Sequence, residues 1–142
     1  SGFTAALAEA GIRIPENMNI KVLFNNAENQ IQVKLAELFQ NKELPQAIFT
    51  LNNNLTTASL KQLHLLGIRV PEDVALIGFD DLNYFGFIKP SVSVIEQPIE
   101  SLSKHAFNLL YRQIQKEIIE NQECKIVLPV KLIIRESSAI AT

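Results

Sequence analysis

The chain of 142 residues contains a single cysteine, Cys124, so it cannot close an internal disulfide. It carries no basic-apolar leader, and no apolar run approaches the roughly 20 residues a membrane-spanning helix requires. A reducing cytoplasm is the compartment these absences suggest. Any cluster of lysine or arginine is also missing: 13 basic side chains face 15 acidic ones, giving a net charge of -2. Nucleic-acid affinity rests on neutralising phosphates, so these residues by themselves make a poor DNA-binding surface. The phosphate loop, the Gly-x-Gly-x-x-Gly fingerprint and the Gly-x-Ser-x-Gly elbow are absent. His64 and His105 have no Cys, Asp or Glu at metal-ligand spacing, and Cys124 lies in an apolar run that suits an inert thiol. The expectation is a protein that is not an enzyme and needs neither cofactor nor metal.

What is present is the composition of a globular domain, 47% apolar and 20% charged. Phe3, Leu7 and Ala10 share a helical face that stops at Gly11, and Ile20 to Phe24 reads as a strand. Ile31, Leu35, Leu38 and Phe39 predict a helix from about Ala27 to Gln40. A strand at Ala47 to Leu51 follows, then a helix to Leu66 capped by Asn52 or Asn53, then a strand at Val74 to Phe79. Beyond a loop at Asp80 to Pro90 and a strand at Val92 to Glu96, Pro98 opens a helix. Its stripe of Ile99, Leu102, Ala106, Leu109 or Leu110, Ile114 and Ile118 runs to about Glu120. Cys124 to Leu128 and Val130 to Arg135 read as two more strands parted by Pro129. Short apolar strands alternating with helices predict an α/β fold with a parallel, doubly wound sheet. Such a sheet ordinarily begins with a strand, whereas this chain begins with a helix, so an incomplete domain is expected.

The most informative stretch is Gly67 to Asp81, GIRVPEDVALIGFDD: a helix stop, a rigid turn, a strand covered on both faces, and two adjacent carboxylates. In open α/β sheets small ligands sit at the carboxyl ends of the strands. Asp80 stands at such an end, where its carboxylate either grips a polar ligand or braces its own loop. Asp81 is assigned to the loop. Asn52, Asn53 and Asn54 end the preceding strand, and their amides either converge on the same crevice or cap the next helix. Phe24, at the end of another strand, is a stacking ring or a core plug. Leu82, Tyr84, Phe85, Phe87 and Ile88 crowd a loop that should be polar, which marks an interface unless some of the rings fold inward.

Several of these segments, in order, resemble the lactose-repressor (LacI/GalR) family of transcription regulators. SGFTAALAEAGI at the start, AIFTLNNNLTTASL at Ala47 to Leu60, the GIRVPEDVALIGFDD run, KPSVSVIEQP at Lys89 to Pro98 and LPVKLIIRES at Leu128 to Ser137 each match a family motif. The resemblance implies a periplasmic-binding-protein-like sensor of two lobes, truncated at its N-terminus and represented mostly by the second lobe. Residues 1–91 would be that second lobe without its first strand. Residues 92–122 would belong to the first lobe, and residues 123–142 would return to the second. It further implies ligand contacts from Asp80 and Asn52, with Asn53 standing where Asp is usual. Phe24 or Asn26 would occupy the position of a stacking aromatic, and Ile99 would form part of the pocket wall. The family's effector-gripping arginine would precede Ser1, so residues 1–142 alone are expected to bind effector weakly or not at all.

The implied partners are a small-molecule effector such as a sugar, operator DNA through an N-terminal headpiece absent from this chain, and a second copy of the chain. Thr57, Lys61, Tyr84, Phe85 and Phe87 are the expected dimer contacts. The rival expectation is a periplasmic sugar-binding protein of a transport system, which shares the two-lobed design. The ending LPVKLIIRES favours the regulator.

Overall fold

The computed structural model describes residues 2–116 and 125–139. Four strands form one sheet in the order β1 (Ala47–Phe49), β2 (Ala75–Phe79), β3 (Ser93–Glu96) and β4 (Lys131–Ile133). The first three run parallel, with Phe49 opposite Ile77 and Phe79 opposite Ile95. The last is antiparallel, Val94 facing Ile133. The parallel sheet expected from the alternation is thus formed, and β4 alone runs against its neighbour, because the chain enters it beside the end where it left β3, Lys131 opposite Glu96.

Four helices form, α1 (Gly2–Glu9), α2 (Ala27–Gln40), α3 (Asn53–Leu65) and α4 (Ile99–Ile114); from α2 onward they alternate with the strands as the apolar spacing predicts, whereas α1 and α2 follow each other without one. Ile31, Leu35 and Leu38 of α2 meet Leu63 of α3, Ile68 and Val74 in the main core, with Ile48 of β1 packed against them. The stop after α3 is a paired-bond cap: Gly67 N donates to His64 O and Ile68 N to Leu63 O, with Gly67 at φ 69. That geometry suits glycine, and it folds Ile68 back onto the core beside Leu63.

Two expected strands are not formed. Ile20 to Leu23 pairs with no strand; the Leu23 N–H instead donates to the Gln30 side chain at 2.8 Å, and Phe24–Asn26 makes a single 3₁₀ turn. A β-prone run becomes a strand only beside a neighbour that completes its ladder, and the sheet edge at β1 brings none among the described residues. Residues 125–130 likewise carry no strand pairing. Cys124, Ile118 and the end of the α4 stripe near Glu120 lie outside the described residues.

α4 stands apart from the rest. None of its residues is buried, and Ile99, Leu102, Phe107, Leu110 and Ile114 all expose their side chains. An apolar stripe at helical spacing is normally covered, and here the described residues do not cover it.

Candidate functional site

The carboxyl ends of β1, β2 and β3 lie side by side because the three strands are parallel and in register. Three residues beyond the Phe49–Ile77 pair stand Asn52 and Asp80, and two residues beyond Ile95 stands Gln97. Asp80 is fixed by its backbone. Its N–H donates to Ile95 O at 3.0 Å, and its φ of 72 places it in the left-handed region that Asp tolerates better than most side chains. Asp80 Oδ1 accepts a hydrogen bond from Gln97 Nε2 at 2.5 Å. A carboxylate only accepts, so the amide nitrogen of Gln97 is the group that faces it.

Asn52 fulfils the capping alternative. Its Oδ1 accepts from Leu55 N at 2.9 Å, and its backbone carbonyl accepts from both Thr56 N and Thr56 Oγ1. Capping engages the amide oxygen, so the amide nitrogen is the group Asn52 can present to a ligand. Asn53 is the first residue of α3, half-buried, and its carbonyl accepts from Thr57 Oγ1. Ile99, the first residue of α4, is 61% exposed two positions past Gln97.

The structure thus brings Asn52, Asn53 and Asp80 to adjacent strand tips, with Ile99 two residues beyond the third tip. Phe24 and Asn26 are placed elsewhere, on the turn ahead of α2. Asn26 occupies the N-cap position of α2 without a side-chain capping bond, and it lines an open hollow of about 400 Å³ with Ile20, Lys21, Leu23, Gln30 and Lys34. Neither Asp80 nor Asn52 lines that hollow.

Asp81 serves the loop, through a partner the sequence did not suggest. Arg135 Nη1 and Nη2 donate to its two carboxylate oxygens at 3.0 and 2.6 Å, and Nη1 also donates to Val92 O at 2.7 Å. The bonds to Asp81 raise the Arg135 pKa above its ordinary value, against the opposing effect of burial. Glu136 and Ser137 continue the clamp. Ser137 Oγ donates to Leu76 O and accepts from Ser93 N, joining the backbones of β2 and β3.

Glu136 accepts from Lys89 Nζ, Ser91 N and Ser91 Oγ, and these bonds, that from Lys89 foremost, lower its carboxyl pKa from 4.5 to about 2. A depressed folded-state pKa means a stabilising contribution that is complete above the ordinary value and lost as pH falls towards about 2. Glu136→Gln is therefore expected to melt below the parent protein at neutral pH, with the two converging as pH drops from 4.5 to about 2. Melting curves across that range check this, and a pH-independent difference would contradict it.

The expected contact face needs one correction. Phe85 has 0% exposure and belongs to a second core with Val92 and Val94, its ring set edge-on to Tyr84 at 4.9 Å. Burying the aromatic ring inside its own chain removes far more apolar surface from water than a shared rim would, so Phe85 is a core residue rather than an interface residue. Phe87 is 86% exposed and Tyr84 44%. Tyr84 Oη lies 2.8 Å from Thr57 Oγ1, and Lys61, one turn further along α3, ion-pairs with Glu28 at 2.6 Å.

Known proteins supply the wider frame. The family of periplasmic binding protein-like domains matches residues 1–138. An HTH-type transcriptional repressor, PurR, from Vibrio atlanticus is 33% identical over 116 residues, covering 81% of this chain and 34% of the relative. The ribose operon repressor of Escherichia coli is 28% identical over 127 residues, covering 88% of this chain and 37% of the relative. A solved complex of the transcriptional regulator CelR with cellobiose superposes with a TM-score of 0.82 at 29% identity, covering 96% of this chain and 41% of that one. The chain spans little more than a third of the length of the curated relatives it matches. With its mostly parallel sheet and polar residues at the strand tips, the chain belongs to the periplasmic binding protein-like domains, in the form found in LacI-type transcriptional regulators.

Proposed function

We propose that this chain is the effector-sensing and dimerisation region of a cytoplasmic LacI-type regulator, in which a small hydroxylated metabolite, a sugar in the first instance, controls operator binding. The observation that carries the reading is the side-by-side placement of Asn52 and Asp80 at neighbouring strand tips, a donor-acceptor amide beside a fixed carboxylate. That pairing suits ligand hydroxyls, which donate to the carboxylate and accept from the amide. Asn53 and Ile99 would border the same crevice, with Phe24 and Asn26 as further candidates on the turn before α2. Thr57, Lys61, Tyr84 and Phe87 supply the dimer face, and a headpiece outside this chain the DNA contact.

Within the segment 92–122, Val92 and Ser93–Glu96 stay with the core and sheet of the second lobe, while the uncovered stripe of α4 supports assigning that helix to a first lobe, so that a ligand held between lobes would draw the two together and reorient the protomers. A relative that is a ribose operon repressor and a structural neighbour holding cellobiose favour sugar. Among the described residues no helix is long and apolar enough to cross a membrane.

A thermal-shift panel of sugars and purines on the intact protein tests the assignment, because a ligand that binds the native state raises its melting point. Asp80→Asn keeps the left-handed backbone and removes only the charge. It is expected to weaken binding of the active compound by about tenfold, the difference between a charge-assisted and a neutral hydrogen bond. Undiminished binding in calorimetry would move the site away from Asp80.

A further inference from the structure

The adjacent carboxylates of Asp80 and Asp81 hold the exit from β3 towards α4 and the far end of β4, the strand that follows α4. Asp80 accepts from Gln97, the residue just before the Pro98–Ile99 step into the helix. Asp81 accepts from Arg135, just past β4, the strand by which the chain returns to the sheet. One dipeptide therefore ties down both the outgoing and the returning segments.

The two ties differ in kind. Arg135 and Asp81 are both charged and about four-fifths shielded from solvent, and they meet as a two-pronged pair that a third bond, to Val92 O, fixes further. A fork of this sort is geometrically specific and hard to exchange for another donor. Gln97 offers Asp80 one bond from a neutral amide. Any hydroxyl that binds Asp80 meets this amide already in place, and the half-buried carboxylate, held by its own backbone bond to Ile95, has little freedom to turn towards both.

We propose that Gln97 is a positioning residue whose bond to Asp80 is exchanged for a ligand hydroxyl, freeing the step into α4 while Arg135 keeps Asp81 and β4 in place. The proposal rests on the reading of Asp80 as a ligand residue. It gives two identical neighbouring side chains opposite duties, one exchangeable and one fixed, set by their partners. It also supplies the differential interaction that a ligand-driven shift requires, since ligand-free and ligand-bound forms would differ in what Asp80 holds.

The test uses the intact protein with D-ribose, cellobiose and sucrose as separate probes. Calorimetry reads affinity, and hydrogen exchange reads the segment 97–105. In the parent protein the bound probe is expected to raise exchange in that segment. Gln97→Leu should bind the same probe several-fold more tightly, because no internal donor competes, and should show raised exchange beforehand, with little further change on binding. Gln97→Asn, one methylene too short to reach, should behave alike should leucine disturb folding. Arg135→Lys should weaken binding yet preserve the probe-dependent rise in exchange.

Weaker or unchanged binding by both Gln97 variants would overturn the exchange while leaving Asp80 as a ligand residue. Loss of the exchange response in Arg135→Lys would overturn the division of duties. If the parent protein binds none of the three probes, the ligand reading of Asp80 fails, and the proposal with it.

Discussion

Phe85→Ala is expected to cost about 3–5 kcal/mol of folding stability, the usual penalty for emptying a fully buried phenylalanine site. The ring is completely enclosed, with Val92 and Val94 around it and Leu60, Leu82, Ile88 and Ile133 packed outside. Its backbone is held at both ends: Phe85 N donates to Leu82 O, and Phe85 O accepts from Val92 N, each at 2.8 Å. The surroundings therefore cannot slide inward to fill the hole, which places the cost in the upper part of that range. Urea unfolding of the variant measures it. The adjacent Tyr84→Ala serves as the control, since its ring is nearly half exposed and a surface truncation should cost well under half as much. Equal losses at the two positions would mean that Phe85 is not the core ring described.

Gly78→Ala is expected to destabilise the fold by about 3 kcal/mol although it adds a single methyl. A Cβ at this position would lie 2.7 Å from Thr56 Oγ1 and 3.0 Å from Thr56 Cγ2. Thr56 cannot rotate aside cheaply, because its hydroxyl is engaged with Thr50 Oγ1 at 2.7 Å and with Asn52 O at 2.9 Å inside the protein. Overpacking of this kind costs about 1–3 kcal/mol, and losing a buried hydroxyl pair adds about 1 kcal/mol. A double-mutant cycle checks the cause. Thr56→Ala removes both close atoms and leaves Thr56 Cβ at 3.4 Å, so the alanine at 78 should be tolerated far better in that background. Additive losses would place the damage elsewhere on the strand. The collision matters for function as well as stability, because Thr56 also bonds the carbonyl of Asn52 at the candidate site.

Local pattern accounts for most of what could be read beforehand. The spacing of Ile31, Leu35 and Leu38 announced α2 and the face it buries, and Gly67 marked the cap that turns Ile68 into the core. Asp80 and Asn52 were legible because they follow strands whose apolar character shows in a few residues. What could not be read depends on partners far away in sequence. Arg135 meets Asp81 across 54 positions, Gln97 reaches Asp80 across 17, and nothing in VKLIIRES or VIEQP announces either bond. The run at Ile20 to Phe24 failed as a strand for a related reason, since strand propensity says nothing about whether a neighbouring strand is there. Phe85, Phe87 and Tyr84 share one short loop and similar chemistry, and only the three-dimensional path separates the enclosed ring from the exposed ones.

The left-handed twist of the backbone at Asp80 also narrows what evolution or an engineer can place there. Branched and bulky side chains are disfavoured at such dihedrals, which leaves glycine, asparagine and aspartate as the comfortable alphabet. Retuning the proposed site for a different ligand would therefore proceed through neighbouring positions, with residue 80 choosing between a charged acceptor, a neutral amide and nothing at all.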